Sequence, residues 1–416
     1  MTTEQKRGFT TQILHGDRQN TIEHGSNCKP IHTAIAYGYK DARDLAAVFQ
    51  GTQPGYAYGR QSNPTTTALE NKVTAMEQGL GSICFATGMA AISAVLLTLL
   101  RQGDHLIASS YIFGNTNSFL NTLLNFGIEV TFVDATETAN VANAVQANTK
   151  MVFVETIANP CTQIADLAGI GRLCQQKQLV FVVDNTMTSP YLFLPKAVGA
   201  ALSINSLSKC IAGHGDVLGG AVTELGNFDW SRYDNIIDTY KKGDSQNWAL
   251  LQIKKKGLRD TGATLDSTAA HHIALGAETL SLRMEKISAN TVKLAEFLDQ
   301  QPLIAKVFYP GLTTHPEHNR ATELFRSYGG LMSINLDPSL DCFEFLNRLQ
   351  VPIISSHLGD NRTLIIPVAH TIFYEMGPER RASMGIADGT IRISVGIEDV
   401  EDLIDDFARV LASTES

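Results

Sequence analysis

The sequence VVDNT at residues 182–186, followed by NSLSK at residues 205–209, decides the fold class of this chain. An apolar run ends at Asp184, and the next apolar run leads to Lys209. Continuous apolar strands separated by helical segments indicate a mostly parallel sheet with helices on both faces. Because ligands bind outside the carboxyl ends of such strands, we expect Asp184 and Lys209 to lie at the binding edge.

The same alternation extends over most of the chain and predicts an α/β protein with a second, smaller domain. The predicted strands of the first sheet are residues 82–86, 105–109, 129–134, 151–155, 179–184 and 202–206. A long amphipathic segment at 269–300 and predicted strands at 329–336, 363–369 and 390–395 indicate a smaller C-terminal α+β domain. We therefore divide the chain into an arm that contacts a partner subunit (1–61), a cofactor-binding α/β domain (62–263) and the C-terminal domain (264–416).

Composition excludes several classes of protein. The 416 residues are 44% hydrophobic and 18% charged, with a net charge of −9, which argues against a disordered chain and against binding to nucleic acid or to a membrane. The six cysteines form no CxxC pair and predict reduced thiols in the cytoplasm. Residues 1–10 lack a secretory signal, and the uncharged stretch 78–100 divides better into a strand and a buried helix than into a membrane span.

The chemistry that suits Asp184 and Lys209 is that of a carbonyl cofactor with a phosphate. An amine at Lys209 forms an imine, and the hydroxyls of Ser206 and Ser208 bond a phosphate. A carboxylate at Asp184 attracts a pyridinium nitrogen by about 4 kcal/mol at about 4 Å, which keeps the ring protonated. The pair therefore points to pyridoxal phosphate. Taken singly, each residue also fits a structural role, as a lysine at a helix start and as a capping aspartate.

Three other features of the sequence provide groups that can bind an anion. The sequence ATGMAA at residues 86–91 places Gly88 and Met89 at a helix start, where free N–H groups attract a phosphate. Tyr58 and Arg60 in the arm can donate to phosphate oxygens, although an exposed arm explains them equally well. Arg392 lies inside an apolar strand and needs an anionic partner, either a structural carboxylate or a substrate α-carboxylate. The histidines do not cluster as ligands, so no metal site is expected.

These motifs together resemble the Cys/Met-metabolism family of pyridoxal-phosphate enzymes, and the resemblance covers nearly the whole chain. The matching segments are TQILH (11–15), YGRQSNPT (58–65), ETIANP (155–160), DNT (184–186), SLSK (206–209), HGDVLGG (214–220), YPGL (309–312) and RISVG (392–396). This resemblance implies a fold-type I transferase architecture, with Lys209 as the Schiff-base lysine and Asp184 beside the pyridine nitrogen.

The resemblance also implies the remaining site residues and the assembly. Gly88, Met89, Ser206 and Ser208 match phosphate-binding positions, while Tyr58 and Arg60 match residues that reach the phosphate of a neighbouring subunit. Asn159, Arg392 and Ser356 match substrate-binding positions. A homodimer with shared sites follows, commonly paired into a tetramer.

Two positions depart from the family pattern. The family often has a tyrosine stacked on the cofactor where this chain has Phe113, which can stack but cannot donate a proton. The family usually has serine or asparagine where this chain has His357, directly before Leu358 and Gly359. Phe113 is therefore predicted to contact the cofactor and to influence the chemistry, while the role of His357 stays open.

The sequence favours γ-replacement on an O-acylhomoserine by sulfide or a thiol, as in O-acetylhomoserine sulfhydrylases and cystathionine γ-synthases. The enzymatic alternative is a methionine or cystathionine lyase that releases a 2-oxo acid and ammonia. A cofactor-binding protein without catalysis is a third class, against which the intact Lys209 and Asp184 argue.

Overall fold

The computed structural model describes residues 7–18 and 22–413, and it contains two β-sheets. The predictions for residues 1–6, 19–21 and 414–416, including part of the signal-peptide prediction, lie outside the described residues. The strands are β1 (Gly81–Phe85), β2 (His105–Ser109), β3 (Glu129–Val133), β4 (Thr149–Glu155), β5 (Val180–Asp184), β6 (Leu202–Asn205), β7 (Gly220–Glu224), β8 (Ile304–Phe308), β9 (Leu331–Leu336), β10 (Ile353–Ile354), β11 (Leu364–Pro367) and β12 (Thr390–Ser394).

Fifteen α-helices are present in the part of the chain that the structure describes. They are α1 (Phe9–His15), α2 (Ala42–Gln50), α3 (Pro64–Glu77), α4 (Gly88–Leu99), α5 (Gly114–Leu123), α6 (Thr138–Ala144), α7 (Leu167–Lys177), α8 (Ser189–Leu192), α9 (Trp248–Gln252), α10 (Ser267–Glu278), α11 (Leu280–Asp299), α12 (His318–Leu324), α13 (Cys342–Arg348), α14 (Pro378–Ser383) and α15 (Val400–Ala412). A π-helical segment, Ile253–Arg259, continues directly from α9.

The first sheet confirms the predicted α/β class. Its strand order is β1-β7-β6-β5-β4-β2-β3, and the neighbours from β6 through β5, β4 and β2 to β3 are parallel. All six predicted strands are present, with ends that differ by two residues at most. The prediction missed β7, which inserts antiparallel between β1 and β6. The carboxyl ends of β4, β5 and β6 therefore meet at one edge.

The second sheet has the order β10-β11-β12-β9-β8 and is antiparallel except for the short β10–β11 pair. The three predicted strands in this region are confirmed as β9, β11 and β12, while β8 and β10 were missed. The predicted amphipathic helix at 269–300 is two helices, α10 and α11, which Thr279 separates. The boundaries at residues 62 and 264 stay a prediction.

The uncharged stretch at 78–100 forms β1 and α4, as the sequence predicted. Helix α4 is apolar on most of its surface because it packs inside the protein, with Val95, Leu96 and Leu99 fully buried. Among the described residues, no helix is long and apolar enough to cross a membrane.

The start of the described chain is held to the rest of the protein by a buried ion cluster. The ammonium of Lys72 in α3 lies 3.4 Å from Asp17 and 2.7 Å from Glu278 in α10. Ile13 in α1 is buried in the same region. Part of the predicted arm thus packs against its own chain, and contact of the arm with a partner subunit stays a prediction.

The turn that carries Lys209 packs against the helices α10 and α11. The buried guanidinium of Arg283 donates hydrogen bonds to the carbonyl oxygens of Cys210 (2.5 Å), Ile211 (3.0 Å) and Gly276 (2.6 Å). Gly276 lies so close to this turn that a β-carbon there would be 2.1 Å from the carbonyl oxygen of Ala212. The contact between helix and turn therefore requires glycine at position 276.

We predict that Gly276→Ala displaces this turn and destabilises the protein by about 1–3 kcal/mol, since backbone atoms cannot yield as a flexible side chain does. Alanine favours a helix by about 1 kcal/mol over glycine, so a net loss measures the clash. The midpoint of thermal unfolding should fall. Gly38→Ala, at a site with no atom within 4 Å of the added carbon, is the matched control and should leave the midpoint unchanged. Equal midpoints for the two variants would contradict the prediction.

Candidate active site

A cavity of about 370 Å³ lies at the carboxyl edge of the first sheet, beside the second sheet. This volume falls in the range of about 300–1,000 Å³ that is typical of small-molecule sites. Its lining comprises Thr87, Gly88, Met89, Ile92, Phe113, Glu155, Asn159, Asp184, Thr186, Met187, Ser206, Ser208, Lys209, Leu218, Ser356, His357, Leu358, Ile372 and Arg392. Ten of the twelve predicted site residues are thus brought together here.

Lys209 follows β6 in a turn, and its amine reaches the cavity. Burial, together with the positive charge of Arg392, lowers the pKa of the Lys209 amine to about 8. At pH 7 roughly a tenth of such an amine is unprotonated, far more than of an ordinary lysine, and only the unprotonated amine is a nucleophile. The turn therefore presents a lysine that is chemically suited to attack a carbonyl.

The base of the cavity contains two carboxyl groups, one at the end of each of two neighbouring strands. Glu155 ends β4 and Asp184 ends β5, and the two residues are register partners. Both are buried, and burial raises the pKa of each, with Asp184 adding a repulsive contribution to the pKa of Glu155. Asp184 accepts a hydrogen bond from the backbone N–H of Thr186 at 3.0 Å. This end of the cavity attracts a cation.

The start of α4, in contrast, offers hydrogen-bond donors that attract an anion. The N–H groups of its first turn have no acceptor within the helix, and the hydroxyl of Thr87 accepts only from Ala90, at 3.0 Å. Gly88 packs directly on Ser206, because a β-carbon at position 88 would lie 2.9 Å from that of Ser206. The free N–H groups and the Ser206 hydroxyl therefore form a place for an anion.

Ser208 lies in the lining, but its hydroxyl is already bonded to the backbone. It accepts from the N–H of Gly219 at 2.8 Å and donates to the carbonyl of the same residue at 3.2 Å. Contact of Ser208 with a phosphate stays a prediction, and it requires this hydroxyl to turn away from Gly219.

Arg392 projects from β12 into the cavity and is 2% exposed. One of its terminal nitrogens donates to the carbonyl oxygens of Ser356 and His357, each at 2.9 Å, and the other lies 3.5 Å from the side-chain oxygen of Asn159. Its Nε has no hydrogen-bond partner among the described residues, and no carboxylate there forms an ion pair with it. The structural salt bridge that the sequence allowed is absent from this part of the chain, which leaves a bound anion as the natural partner.

His357 contacts the reactive lysine. Its Nδ1 lies 3.2 Å from the Nζ of Lys209. Burial and the neighbouring Lys209 charge lower the pKa of His357 to about 4, so the ring is neutral near pH 7 and accepts a hydrogen bond from the lysine. Ser356 contributes its backbone carbonyl to Arg392, as described above, and its own side chain is exposed at the rim.

Phe113 lies at the mouth of the cavity, 38% exposed, immediately before α5. Its backbone N–H donates to the carboxyl of Glu155 at 2.6 Å, so the buried acid fixes the position of this aromatic residue. Glu155 was not selected as a site residue from the sequence. The signal was available, because Glu155 ends a predicted strand at the same edge as Asp184.

Tyr58 and Arg60 lie outside this cavity in their own chain. The Arg60 guanidinium stacks over the Tyr58 ring, 5.6 Å from its centroid, and donates to the carbonyl of Arg259. The carbonyl of Arg60 accepts from the hydroxyl of Thr264 at 2.9 Å. The single chain therefore does not bring these two residues to the Lys209 site.

Comparison with known proteins gives one family over nearly the full length. The family model described as Cys/Met metabolism PLP-dependent enzyme matches residues 10–412. An L-methionine gamma-lyase of Fusobacterium nucleatum subsp. polymorphum is 36% identical, with 98% of each chain covered. An O-acetyl-L-homoserine sulfhydrylase of Thermus thermophilus is 34% identical, with 97% of this chain and all of the relative covered.

A solved structure from Campylobacter jejuni, provisionally named O-acetylhomoserine (thiol)-lyase, is similar with a TM-score of 0.93 and 31% identity. The match covers 98% of this chain and 100% of the other. That protein carries a pyridoxyl-lysine 5′-monophosphate.

The amine of Lys209 offers a direct test of the site electrostatics. In the cofactor-free chain, we predict that acylation of Lys209 by an amine reagent rises with pH around a midpoint near 8, because the protonated amine does not react. Peptide mapping by mass spectrometry measures the labelled fraction, with exposed Lys293 as the reference for the reagent at each pH.

Replacing His357 tests the hydrogen bond. In His357→Leu the acceptor that favours the charged amine is lost, so the midpoint should move to lower pH by about one unit. His357→Asn keeps an acceptor oxygen and should stay closer to the original midpoint. An unchanged midpoint in His357→Leu would show that the contact contributes nothing to the protonation of Lys209.

Proposed function

This chain belongs to the Cys/Met metabolism PLP-dependent enzyme family, and from that premise we propose that it catalyses γ-replacement on an O-acylhomoserine by sulfide or a thiol. It is a pyridoxal-phosphate enzyme of sulfur amino-acid metabolism, and its relatives include lyases and transferases. The identity of 36% or less to these relatives leaves the particular reaction to be decided by the residues of the cavity.

The cavity residues fit pyridoxal phosphate. The buried carboxyl end suits the pyridine nitrogen, the start of α4 with Ser206 suits the phosphate, and the amine of Lys209 suits the carbonyl carbon. When bound, this cofactor withdraws electrons from the α-carbon of an amino acid. We assign Asp184 to the ring nitrogen and Gly88, Met89 and Ser206 to the phosphate.

Arg392 would orient the substrate. Its guanidinium is buried, has an unpartnered Nε and is anchored by two carbonyl oxygens, so a substrate α-carboxylate completes its hydrogen bonds. Asn159 lies beside it. With the carboxylate held there, the amine of Lys209, which lines the same cavity, would take the α-proton and return it along the substrate chain.

The observation that carries γ-replacement is the phenylalanine at position 113. No tyrosine is found among the described residues that line the cavity, and Phe113 has no proton to give. Acetate or succinate leaves as a stable carboxylate and needs little help, whereas a thiolate or an alkylthiol leaves more easily when an acid donates a proton. With no phenol supplied by its own chain, the cavity favours an ester substrate, since the Tyr58 that we assign below to a partner's cavity would contact the phosphate there.

A lyase acting on methionine or cystathionine is the second candidate, and His357 is the observation that favours it. A neutral imidazole beside Lys209 can exchange a proton with the lysine and so replace part of the function of a phenol. Both candidates share the steps that precede departure of the γ-group and differ in the leaving group itself, so the substrate preference discriminates between them.

The test compares kcat/KM for O-acetylhomoserine with sulfide against kcat/KM for methionine and cystathionine, the latter measured by 2-oxo acid release. We expect the wild type to prefer the ester strongly. In Phe113→Tyr the thioether should gain more than the ester, because positioned proton transfer contributes about 10²–10⁴-fold where a proton is needed.

Two controls accompany this assay. Phe126→Tyr adds the same hydroxyl on the surface and should change neither rate. Lys209→Ala should lose turnover with every substrate. If the wild type cleaves a thioether as efficiently as the ester, the argument from Phe113 is wrong and the lyase is the better candidate.

We further propose a homodimer with shared sites. Tyr58 and Arg60 lie outside the cavity of their own chain on an exposed segment, and they match residues that bind the phosphate of a neighbouring subunit. A dimer of this kind places them at the partner's cavity, and pairing of two dimers gives a tetramer.

Mixing chains tests this assignment. Arg60→Ala and Lys209→Ala chains, each inactive alone, should together recover about a quarter of the wild-type sites after random pairing of equal amounts, since one site of each hybrid dimer is intact. The hybrid fraction is measured by native mass spectrometry. Hybrids that form without activity would place Arg60 at the site of its own chain.

A further inference from the structure

The base of the cavity contains two buried carboxyl groups, whereas the proposed function requires only one negative charge there. Glu155 is 7% exposed and Asp184 is 8% exposed, and both line the cavity. They are register partners on adjacent parallel strands, so their side chains leave the sheet on the same side, with the strands about 4.8 Å apart. A cofactor ring nitrogen needs one negative charge there, and two carboxylates supply two.

No cation of the described chain compensates the second charge. Lys209 and Arg392 line the same cavity, but neither forms an ion pair with Glu155 or Asp184 in the part of the chain that the structure describes. The remaining basic side chain in the lining, the imidazole of His357, is neutral near pH 7 because its pKa is lowered. Two like charges buried side by side do not both persist, so one group must carry a proton.

The hydrogen bonds show which group that is. Asp184 accepts from the backbone N–H of Thr186, and the neighbouring Thr186 hydroxyl also lowers the pKa of Asp184, so both groups favour its ionised form. Glu155 accepts one bond, from the backbone N–H of Phe113, through Oε1. Its second oxygen is free to carry a proton.

We propose that Glu155 and Asp184 together hold one proton, which resides on Glu155, and that this pair would present a single negative charge to the ring nitrogen of the cofactor. This inference rests on the proposed placement of the ring nitrogen at Asp184. Glu155 is then a positioning residue: as a neutral acid it holds Phe113 through its backbone and leaves Asp184 as the only anion. If Asp184 is neutralised, Glu155 can lose its proton and take over the charge.

Infrared difference spectroscopy of the full chain with pyridoxal phosphate bound measures the proton directly. At pH 7 the wild type should show a protonated-carboxyl band that shifts when glutamate is labelled with ¹³C and that is missing from Glu155→Gln. Asp184→Asn should lose the same band, because Glu155 ionises there. Absence of this band from the wild type, or its persistence in Asp184→Asn, would overturn the proposal.

Cofactor affinity supplies a second readout that does not depend on turnover. Glu155→Gln keeps the acceptor for Phe113 and should bind pyridoxal phosphate about as well as the wild type, while Asp184→Asn should bind it more weakly. The double variant should be weaker than Asp184→Asn by about tenfold or more, because no carboxylate remains. Equal affinities of Asp184→Asn and the double variant would contradict the shared proton.

The two readouts separate the possible failures. If Asp184→Asn and the double variant both bind pyridoxal phosphate as well as the wild type, the placement of the ring nitrogen is wrong, whereas the infrared band still reports the proton on Glu155. A preference for thioether substrates changes neither measurement. If Glu155→Gln does not fold, the loss of the band in Asp184→Asn remains a sufficient test.

Discussion

Charge that is buried without a partner in the chain is the constraint on which the rest of this structure depends. One cavity collects two carboxyl groups at its base and two cationic side chains, Lys209 and Arg392, on its other walls, and none of them forms an ion pair with another in the described residues. Burying such groups costs several kcal/mol each unless something compensates them. A ligand with a cationic ring, a phosphate and a carboxylate supplies each missing partner. The charges of the cavity therefore predict the charges of the ligand that it binds.

The fold holds these charges apart by assigning them to separate elements. Glu155 and Asp184 end strands of the first sheet, and Arg392 lies within the second sheet, where the carbonyl oxygens of Ser356 and His357 occupy one of its nitrogens. Lys209 sits on the turn between them and contacts His357, which is 148 residues away in the sequence. Arg283 holds the backbone of that turn in place through the carbonyl oxygens of Cys210 and Ile211, and it links the turn to α10 through the carbonyl of Gly276.

Site residues that belong to a recognisable strand or motif, including Arg392 in the second sheet, could be predicted from the sequence, whereas side-chain contacts between the two sheets could not. Asp184 and Lys209 were found because parallel strands end at a common edge. The same rule applies to Glu155, which was overlooked for want of a recognised role rather than of a signal. The contact of His357 with Lys209 depends on how β10 and β11 pack beside the first sheet, and no local pattern encodes it. Strand β7 was missed because its pairing is antiparallel and its residues, Gly220–Glu224, follow a glycine-rich turn.

The similarity of the whole chain to lyases and to transferases does not distinguish replacement from elimination. Solved structures named as lyases and as a synthase share this fold, and the roles that we propose for Lys209, Asp184 and Arg392 serve either reaction. The reactions differ in the γ-group that departs and in whether a thiol or a proton then reaches the remaining fragment. That choice depends on the few side chains at the mouth of the cavity, and here those are a phenylalanine with no proton to donate and an imidazole tied to the lysine. A leaving group that departs as a stable carboxylate needs no proton from these side chains, and this is the physical basis on which we propose the ester as the substrate.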